Sequence, residues 1–251
     1  MTAGLLILAV LALAFCNGAN DVSKGIATLV GSGVTRLKTA VIWGAVWTVA
    51  GAITAAFASR GLVQAFRGSG LLSPLPGGFG FLIAMGGGSL AWVWLATRSG
   101  LPVSTTHAIT GALVGASATA VGLAGIHWRV LWEKFALPLA VSPVLSLGLV
   151  LVCLPLFRLT FGRLESFCLC LNHQPALPAN LVTSLLVIFA SRLALPVSTT
   201  HVSSGAIIGL GLRRDARNVQ WRTVRDFVLA WVVTLPVAGI IASLLYGLER
   251  L

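Results

Sequence analysis

One hydroxyl-rich heptapeptide occurs twice in the sequence: LPVSTTH stands at residues 101–107 and again at 195–201. Proline lacks a backbone N–H and disfavours helix in the residue before it, so each copy is predicted to begin a new helix at its Ser-Thr-Thr segment. The first N–H groups of a helix have no partner within it, and with the helix dipole and nearby hydroxyl groups they can bind an anion. Such residues also cap and pack membrane helices, but the duplication favours binding. The candidate ligands are Ser104, Thr105, Thr106, Ser198, Thr199 and Thr200.

A second polar cluster lies in the segment FCNGANDVSKG, residues 15–25. Asp21 is the only acidic residue deep within an apolar segment of this chain. A carboxylate in such surroundings needs a partner, because an isolated charge in the membrane is costly. The partner is a sodium ion, a proton, or Lys24, which lies three residues away on the same helix face.

Histidines follow both hydroxyl segments, at His107 and His201. A Ser-His hydrolase would need an acidic residue to orient the imidazole, and none accompanies either histidine in the sequence. The chain is therefore predicted not to be an enzyme, and the histidines are expected to have capping or gating roles. The group Cys168, Cys170 and His173 fits no strong zinc pattern, so no metal site is predicted there.

The elements that hold these residues are predicted to be membrane helices. Of the 251 residues, 57% are hydrophobic and 9% are charged, and continuous apolar runs such as 40–58 and 227–248 have the length of a membrane helix. The expected fold class is an all-α integral membrane protein, multi-pass in the cell membrane and specifically a bacterial inner membrane. The net charge of +11 is assigned to arginines at helix ends that face lipid headgroups, and no nucleic-acid partner is predicted.

An internal repeat organises the chain. An offset of 94 residues aligns 98–115 with 192–209, and an offset of 93 extends the match to Pro143 and Pro236. Each copy contains a predicted helical hairpin, spanning or re-entrant: hairpin 1 at 80–122 and hairpin 2 at 179–212. Because a hairpin returns to its starting side, the helix around 130–156 alone changes sides between the copies, so the repeats are predicted to be inverted.

The whole chain, 1–251, is predicted to form a single transmembrane transport domain. Its first repeat covers about 1–156, and a shortened second repeat covers about 179–251. Four full crossings are expected at about 3–34, 39–58, 130–156 and 226–247. Five arginines between 213 and 225 place the loop near residue 217 in the cytoplasm, which puts the loop near residue 70 and both termini outside.

Together these motifs resemble the inorganic phosphate transporter family, in which a GAND helix precedes duplicated PVSTTH hairpins. The resemblance runs from Asn17 to about Pro236. It implies an inverted-repeat secondary transporter of inorganic phosphate, driven by a sodium or proton gradient and without an organic cofactor. It also implies that Asn20 joins the hydroxyl residues at the phosphate site, and that Asn17 and Asp21 bind the coupling cation.

The chain departs from that pattern in one respect. Family members carry a second Asn-Asp helix, with another helix after it, ahead of the second hairpin, whereas CLCLNHQPALPAN leads here straight into 179–193. A minimal transporter, a site completed in a homodimer, and a non-transporting subunit or inactive remnant all remain open.

A sulfate or other oxyanion permease is the substrate alternative. Phosphate is favoured because it retains a proton at neutral pH that Asp21 can accept in a hydrogen bond, while sulfate is fully ionised.

Overall fold

A computed structural model describes residues 2–161 and 176–251, apart from the single positions 32, 34, 59, 69, 75, 77 and 215. Cys168, Cys170 and His173 lie outside these residues. The described part of the chain is helical, with one isolated bridge between Leu72 and Ile126. Its α-helices are α1 Thr2–Gly31, α2 Leu37–Ala58, α3 Arg60–Phe66, α4 Phe79–Arg98, α5 Thr105–Val121, α6 Trp128–Leu131, α7 Leu137–Phe161, α8 Ala176–Arg192, α9 Thr199–Arg214 and α10 Trp221–Glu249. A π-helical turn, Trp132–Ala136, joins α6 to α7. The predicted all-α class is confirmed.

Five described helices are long and apolar enough to cross a membrane: Gly4–Val22, Leu37–Phe57, Phe79–Arg98, Trp128–Cys153 and Trp221–Glu249. Four of them coincide with the predicted crossings. The fifth is α4, the first arm of hairpin 1, so this arm has the length of a full crossing. Large apolar side chains cover the outward faces, for example Phe57 and Val152, which are 77% and 72% exposed. Such faces suit lipid and not water, as expected of a multi-pass membrane protein.

Hairpin 1, formed by α4 and α5, packs on α10. Gly111 and Gly115 of α5 lie against Leu235 and Gly239 of α10, so the two helices run in the same direction. Both glycines are needed there, because a methyl group on either would overlap a carbonyl oxygen of α10. Backbones approach this closely only at small residues, which are common where membrane helices pack.

Hairpin 2, formed by α8 and α9, packs in the equivalent way on α7. Gly205 and Gly209 lie 94 residues after Gly111 and Gly115, and they contact Pro143 and Leu147 of α7. Residue numbers increase in the same direction along the two contacting helices, so α9 runs parallel to α7. Each hairpin therefore packs on the long helix of the other repeat, and the two repeats are interlocked.

The direction of the hairpins follows from these contacts. Only residues 122–127 separate α5 from α6, and Phe135 of the π turn lies in the same buried cluster as Ala112, Leu113 and Ala116 of α5. The chain from α6 into α7 thus returns antiparallel to α5, and α9, parallel to α7, points opposite to α5. The repeats are inverted, as the helix count predicts.

Two packed groups result from this interlocking. The α10 bundle contains α1, α4, α5 and α10, and the α7 bundle contains α7, α8 and α9. Helices within each bundle pack extensively. The bundles meet at the hairpin tips, at α1 and at Phe135.

The inverted arrangement predicts opposite accessibility for two loops. Residue 73 lies at the end of α10 that carries Glu249, because Glu249 contacts Gly80 at the start of α4, whereas Ala216 lies just before Trp221 at the other end. In protein without its native cysteines, Ser73→Cys and Ala216→Cys should react with a membrane-impermeant thiol reagent from opposite sides of the membrane. Labelling of both from one side would contradict the inverted fold.

The close contact between α9 and α7 predicts a specific loss of stability. In Gly205→Ala the added methyl group meets the Pro143 carbonyl, and overpacking of this kind costs about 1 to 3 kcal/mol. Gly148→Ala is the matched control, since no atom lies within 4 Å of a methyl group there. Thermal unfolding in detergent should show a lower midpoint for Gly205→Ala alone; equal midpoints would show that the repeats are not held by this contact.

Candidate anion-binding site

Both hairpins turn in the same way just before the LPVSTTH segment. Gly100 and Ala194, 94 residues apart, have φ values of 70° and 57°. In each hairpin the next N–H, of Leu101 or Leu195, bonds back at 2.9 Å to a carbonyl in the last turn of the preceding helix. Residues in the left-handed region end helices in this manner. The non-helical Pro-Val dipeptide then leads to the next helix start.

Serine caps both new helices. Ser104 Oγ accepts a hydrogen bond from the His107 N–H at 3.1 Å, and Ser198 Oγ accepts one from the His201 N–H at 3.2 Å. Each serine is 1% exposed. The two hydroxyls thus have a capping role that fixes where α5 and α9 begin.

The tips of the two hairpins touch through an exchange of hydrogen bonds. Thr106 Oγ1 donates to the Val197 carbonyl at 3.3 Å, and Thr200 Oγ1 donates to the Val103 carbonyl at 3.0 Å. Thr200 is the equivalent of Thr106 in the other repeat, 94 residues away, and Val103 is the equivalent of Val197. The two bonds are therefore equivalent, and a local two-fold axis relates the tips. The exchange brings the N-termini of α5 and α9 together. Two positive helix ends at one place repel each other, and a bound anion removes that repulsion.

Helix α1 lies across both tips and supplies acceptors to the threonines. Asn17 Oδ1 accepts from Thr105 Oγ1 at 2.6 Å. The Asp21 carboxylate accepts from Thr199 Oγ1 at 2.8 Å, and it lies 2.8 Å from Thr200 Oγ1, whose single hydrogen it shares with the Val103 carbonyl. The carboxylate therefore contacts hairpin 2, while Asn17 contacts hairpin 1. The side chain of Lys24, the alternative partner of Asp21, lies outside the described residues.

Asn20 joins α1 to the end of hairpin 1. Its Nδ2 donates to the Leu101 carbonyl at 3.1 Å and to Thr97 Oγ1 at 3.2 Å, and the side chain is 7% exposed. Thr97 is a site neighbour that the sequence does not single out. It lies in the apolar α4, and its hydroxyl also donates to the Val93 carbonyl, as threonine commonly does in a helix.

Behind the threonines the two histidines meet. The ring centroids of His107 and His201 are 4.3 Å apart, and the Trp231 ring of α10 lies 3.9 Å from that of His201. All three side chains are at least nine-tenths buried. Sequence reasoning missed Trp231, because a tryptophan inside a long apolar run gives no signal of a polar neighbour.

Comparison with known proteins shows which family the sequence of this chain matches. The profile of the phosphate transporter family matches residues 17–177 and 166–242. A probable low-affinity inorganic phosphate transporter from Rhizobium meliloti is 28% identical over 312 positions, which cover 92% of each chain. That alignment exceeds the 251 residues of this chain, so at least 61 positions of the relative have no counterpart here. This agrees with the predicted shortening.

Two further similarities concern sodium-dependent proteins. The sodium-dependent phosphate transporter 2 of Felis catus is 34% identical over 141 residues, covering 51% of this chain and 21% of its own length. A solved structure, described as the sodium-dependent phosphate transporter, superposes with a TM-score of 0.75 at 19% identity and covers 98% of this chain and 99% of that one. At this identity the superposition shows the fold.

The matched family consists of transporters, in agreement with the prediction that the chain is not an enzyme. Its profile covers both hydroxyl segments and the GAND helix. The chain belongs to the phosphate transporter family.

Proposed function

We propose that the protein is a secondary transporter of inorganic phosphate and binds the anion where the two hairpin tips meet. The observation that carries this proposal is the reciprocal hydrogen bonding of Thr106 with Val197 and of Thr200 with Val103, which holds two helix N-termini at one place. An anion between two positive helix N-termini lowers the electrostatic free energy of holding them together. The names of the relatives point to phosphate as that anion.

The proposed phosphate ligands are the threonine hydroxyls and the first N–H groups of α5 and α9. Thr199 is exposed and Thr105 is half-buried, and both donate hydrogen bonds to α1. The backbone ladders begin only later, with the bond from the Ala108 N–H to the Ser104 carbonyl and its counterpart at Val202. Ser104, Ser198 and Asn20 lie beside these groups and fix their positions.

Asp21 offers a physical route to coupling. Its carboxylate accepts hydrogen bonds from Thr199 and Thr200, the same hydroxyls that the phosphate needs, so carboxylate and anion compete and also repel each other. A cation bound at Asp21 and Asn17 neutralises the carboxylate and allows the Thr199 hydroxyl to turn toward the anion, while the Thr200 hydroxyl keeps its bond to the Val103 carbonyl. Cation and phosphate then bind together, which is the requirement for symport. Sodium is the proposed cation, supported by the names of the sodium-dependent relatives and by the oxygen ligands; a proton is the alternative.

The shortened second repeat leads to a proposal about assembly. Within the proposed domain of residues 1–251, α1 covers the outer face of α4, whereas α8 exposes Leu185, Ile188 and Phe189 by 58% to 67%. Thr199 is also exposed at the end of this face. We propose that a second protomer covers α8 in a homodimer and that the protein lies in a bacterial inner membrane, since several similar transporters come from bacteria. Native mass spectrometry in lipid should give a dimer, and a monomer would contradict the proposal.

Asp21→Asn tests the role of the carboxylate. The substitution keeps the shape and an acceptor oxygen but removes the charge that holds the cation. Gradient-driven phosphate uptake should collapse while thermal unfolding stays near that of the native protein. Unchanged uptake in a folded variant would show that the carboxylate is structural.

Thr105→Val and Thr199→Val test the anion contacts. Each removes one hydroxyl at nearly constant volume, and phosphate affinity should fall about ten- to a hundredfold without loss of cation dependence. Thr54→Val is the control, because Thr54 is exposed on α2 and bonds only within its own helix, to the Ala50 carbonyl. Equal affinities in all three variants would remove the threonines from the site.

Transport itself is tested with purified protein in vesicles. Uptake of radioactive phosphate is measured with sodium and pH gradients imposed separately, and with excess sulfate as competitor. We expect uptake driven by sodium and little inhibited by sulfate. Strong inhibition would favour the oxyanion permease, and no uptake under any gradient would favour a non-transporting subunit.

A further inference from the structure

We propose that His107 and His201 form a proton-binding site that takes up one proton together with each anion. The inference rests on the proposed function, since it requires an anion at the starts of α5 and α9. It adds a second coupling site, distinct from Asp21.

The pair lies where a charge would act on both bundles. His107 belongs to the α10 bundle and His201 to the α7 bundle, and their rings are 4.3 Å apart with exposures of 6% and 3%. Each histidine is the third residue of its helix, directly after the two threonines of the proposed phosphate site. A proton on either ring would therefore lie within one helical turn of the anion.

Contacts of His201 indicate which atom takes the proton. Its Nδ1 lies 3.2 Å from the Leu139 carbonyl, which can only accept, so Nδ1 carries a hydrogen and Nε2 has the lone pair. The Trp231 ring stacks on the imidazole with centroids 3.9 Å apart. An indole face attracts a cation, so both contacts favour an imidazolium at His201.

Without an anion the surroundings oppose that charge. Both rings are buried and lie in the first turns of α5 and α9, whose positive ends repel a cation. Mutual repulsion at 4.3 Å also prevents both rings from being charged. An anion at the helix ends reverses the balance, because its negative charge offsets the dipoles and attracts the imidazolium. Anion and proton thus raise each other's affinity.

Among the side chains that the structure describes, few other charged groups face the pair from the helices packed around it. On α1, Asp21 is linked to it through Thr200, the residue before His201. The described side chains of α7 include no charged residue, and α5 has no titratable residue besides His107. On α4, Arg98 stacks on Trp94, and on α10 the exposed Arg225 and Asp226 pair with each other at 3.0 Å, more than a turn before Trp231. Asp21 and the partner imidazole are the groups that respond to the proton.

The cycle needs proton transfer and no covalent step. His201 Nε2 takes a proton from water as the anion enters, and the imidazolium returns it to water on the other side as the anion leaves. One proton then crosses with each phosphate.

The protonation state can be observed directly. The chain has four histidines, so His127→Gln and His173→Gln leave the pair as the only ¹⁵N-histidine signals. In lipid nanodiscs at neutral pH, we expect two neutral rings without phosphate and one imidazolium with saturating inorganic phosphate. Two neutral rings with phosphate bound, or an imidazolium already present without it, would overturn the proton site and leave the anion site standing. If isothermal titration detects no phosphate binding, the proposed function fails, and this inference fails with it.

His201→Asn gives an independent test. The amide keeps a donor for the Leu139 carbonyl but cannot take a proton. Phosphate affinity of the native protein should fall with rising pH by up to about tenfold more per pH unit than that of the variant, because one linked proton is lost. His127→Asn, at an exposed position, should retain the native slope. Identical slopes in all three proteins would contradict the inference, and the NMR measurement on the native pair remains decisive if His201→Asn does not fold.

Discussion

The structure depends on the exchange of hydrogen bonds between the two hairpin tips. Thr106 reaches the Val197 carbonyl and Thr200 reaches the Val103 carbonyl, and each bond satisfies a backbone acceptor that the Pro-Val dipeptide leaves free. Inside the membrane no water is available to donate a hydrogen bond to such a carbonyl. The tips are therefore held together, and the helix ends behind them come to share one site.

Because the two repeats are interlocked, each half of that site is held rigidly within one bundle, while the two bundles can move relative to each other. Each hairpin is fixed by glycine contacts to the long helix of the other repeat, at Gly111 on α10 and at Gly205 on α7. The two resulting bundles meet mainly at the tips and at α1. The proposed anion site thus lies on the boundary between two well-packed bodies, where a small relative movement would change its access to either side of the membrane.

The sequence predicts the elements well because proline and glycine mark the breaks. The hairpin arms and the long helices begin and end within a few residues of their predicted bounds when α6, the π turn and α7 are counted as one helix, apart from the start of α10 at Trp221 and the end of α7 at Phe161. Lateral contacts could not be predicted, since helices that are apolar on every side give no periodic signal. The contact of Asp21 with Thr199 and Thr200, 178 and 179 residues away, belongs to this group. The ring contact between His107 and His201 and the stacking of Trp231 on His201 could not be predicted either, because they depend on tertiary packing alone.

The central claim is that one phosphate binds between the starts of α5 and α9. A crystal structure of the protein grown with phosphate tests it most directly. We predict anion density within hydrogen-bond distance of both Thr105 and Thr199, with the Asp21 carboxylate turned away from the Thr199 hydroxyl. Phosphate found only at the exposed arginines, with the tips and Asp21 bonded as they are here, would contradict this account.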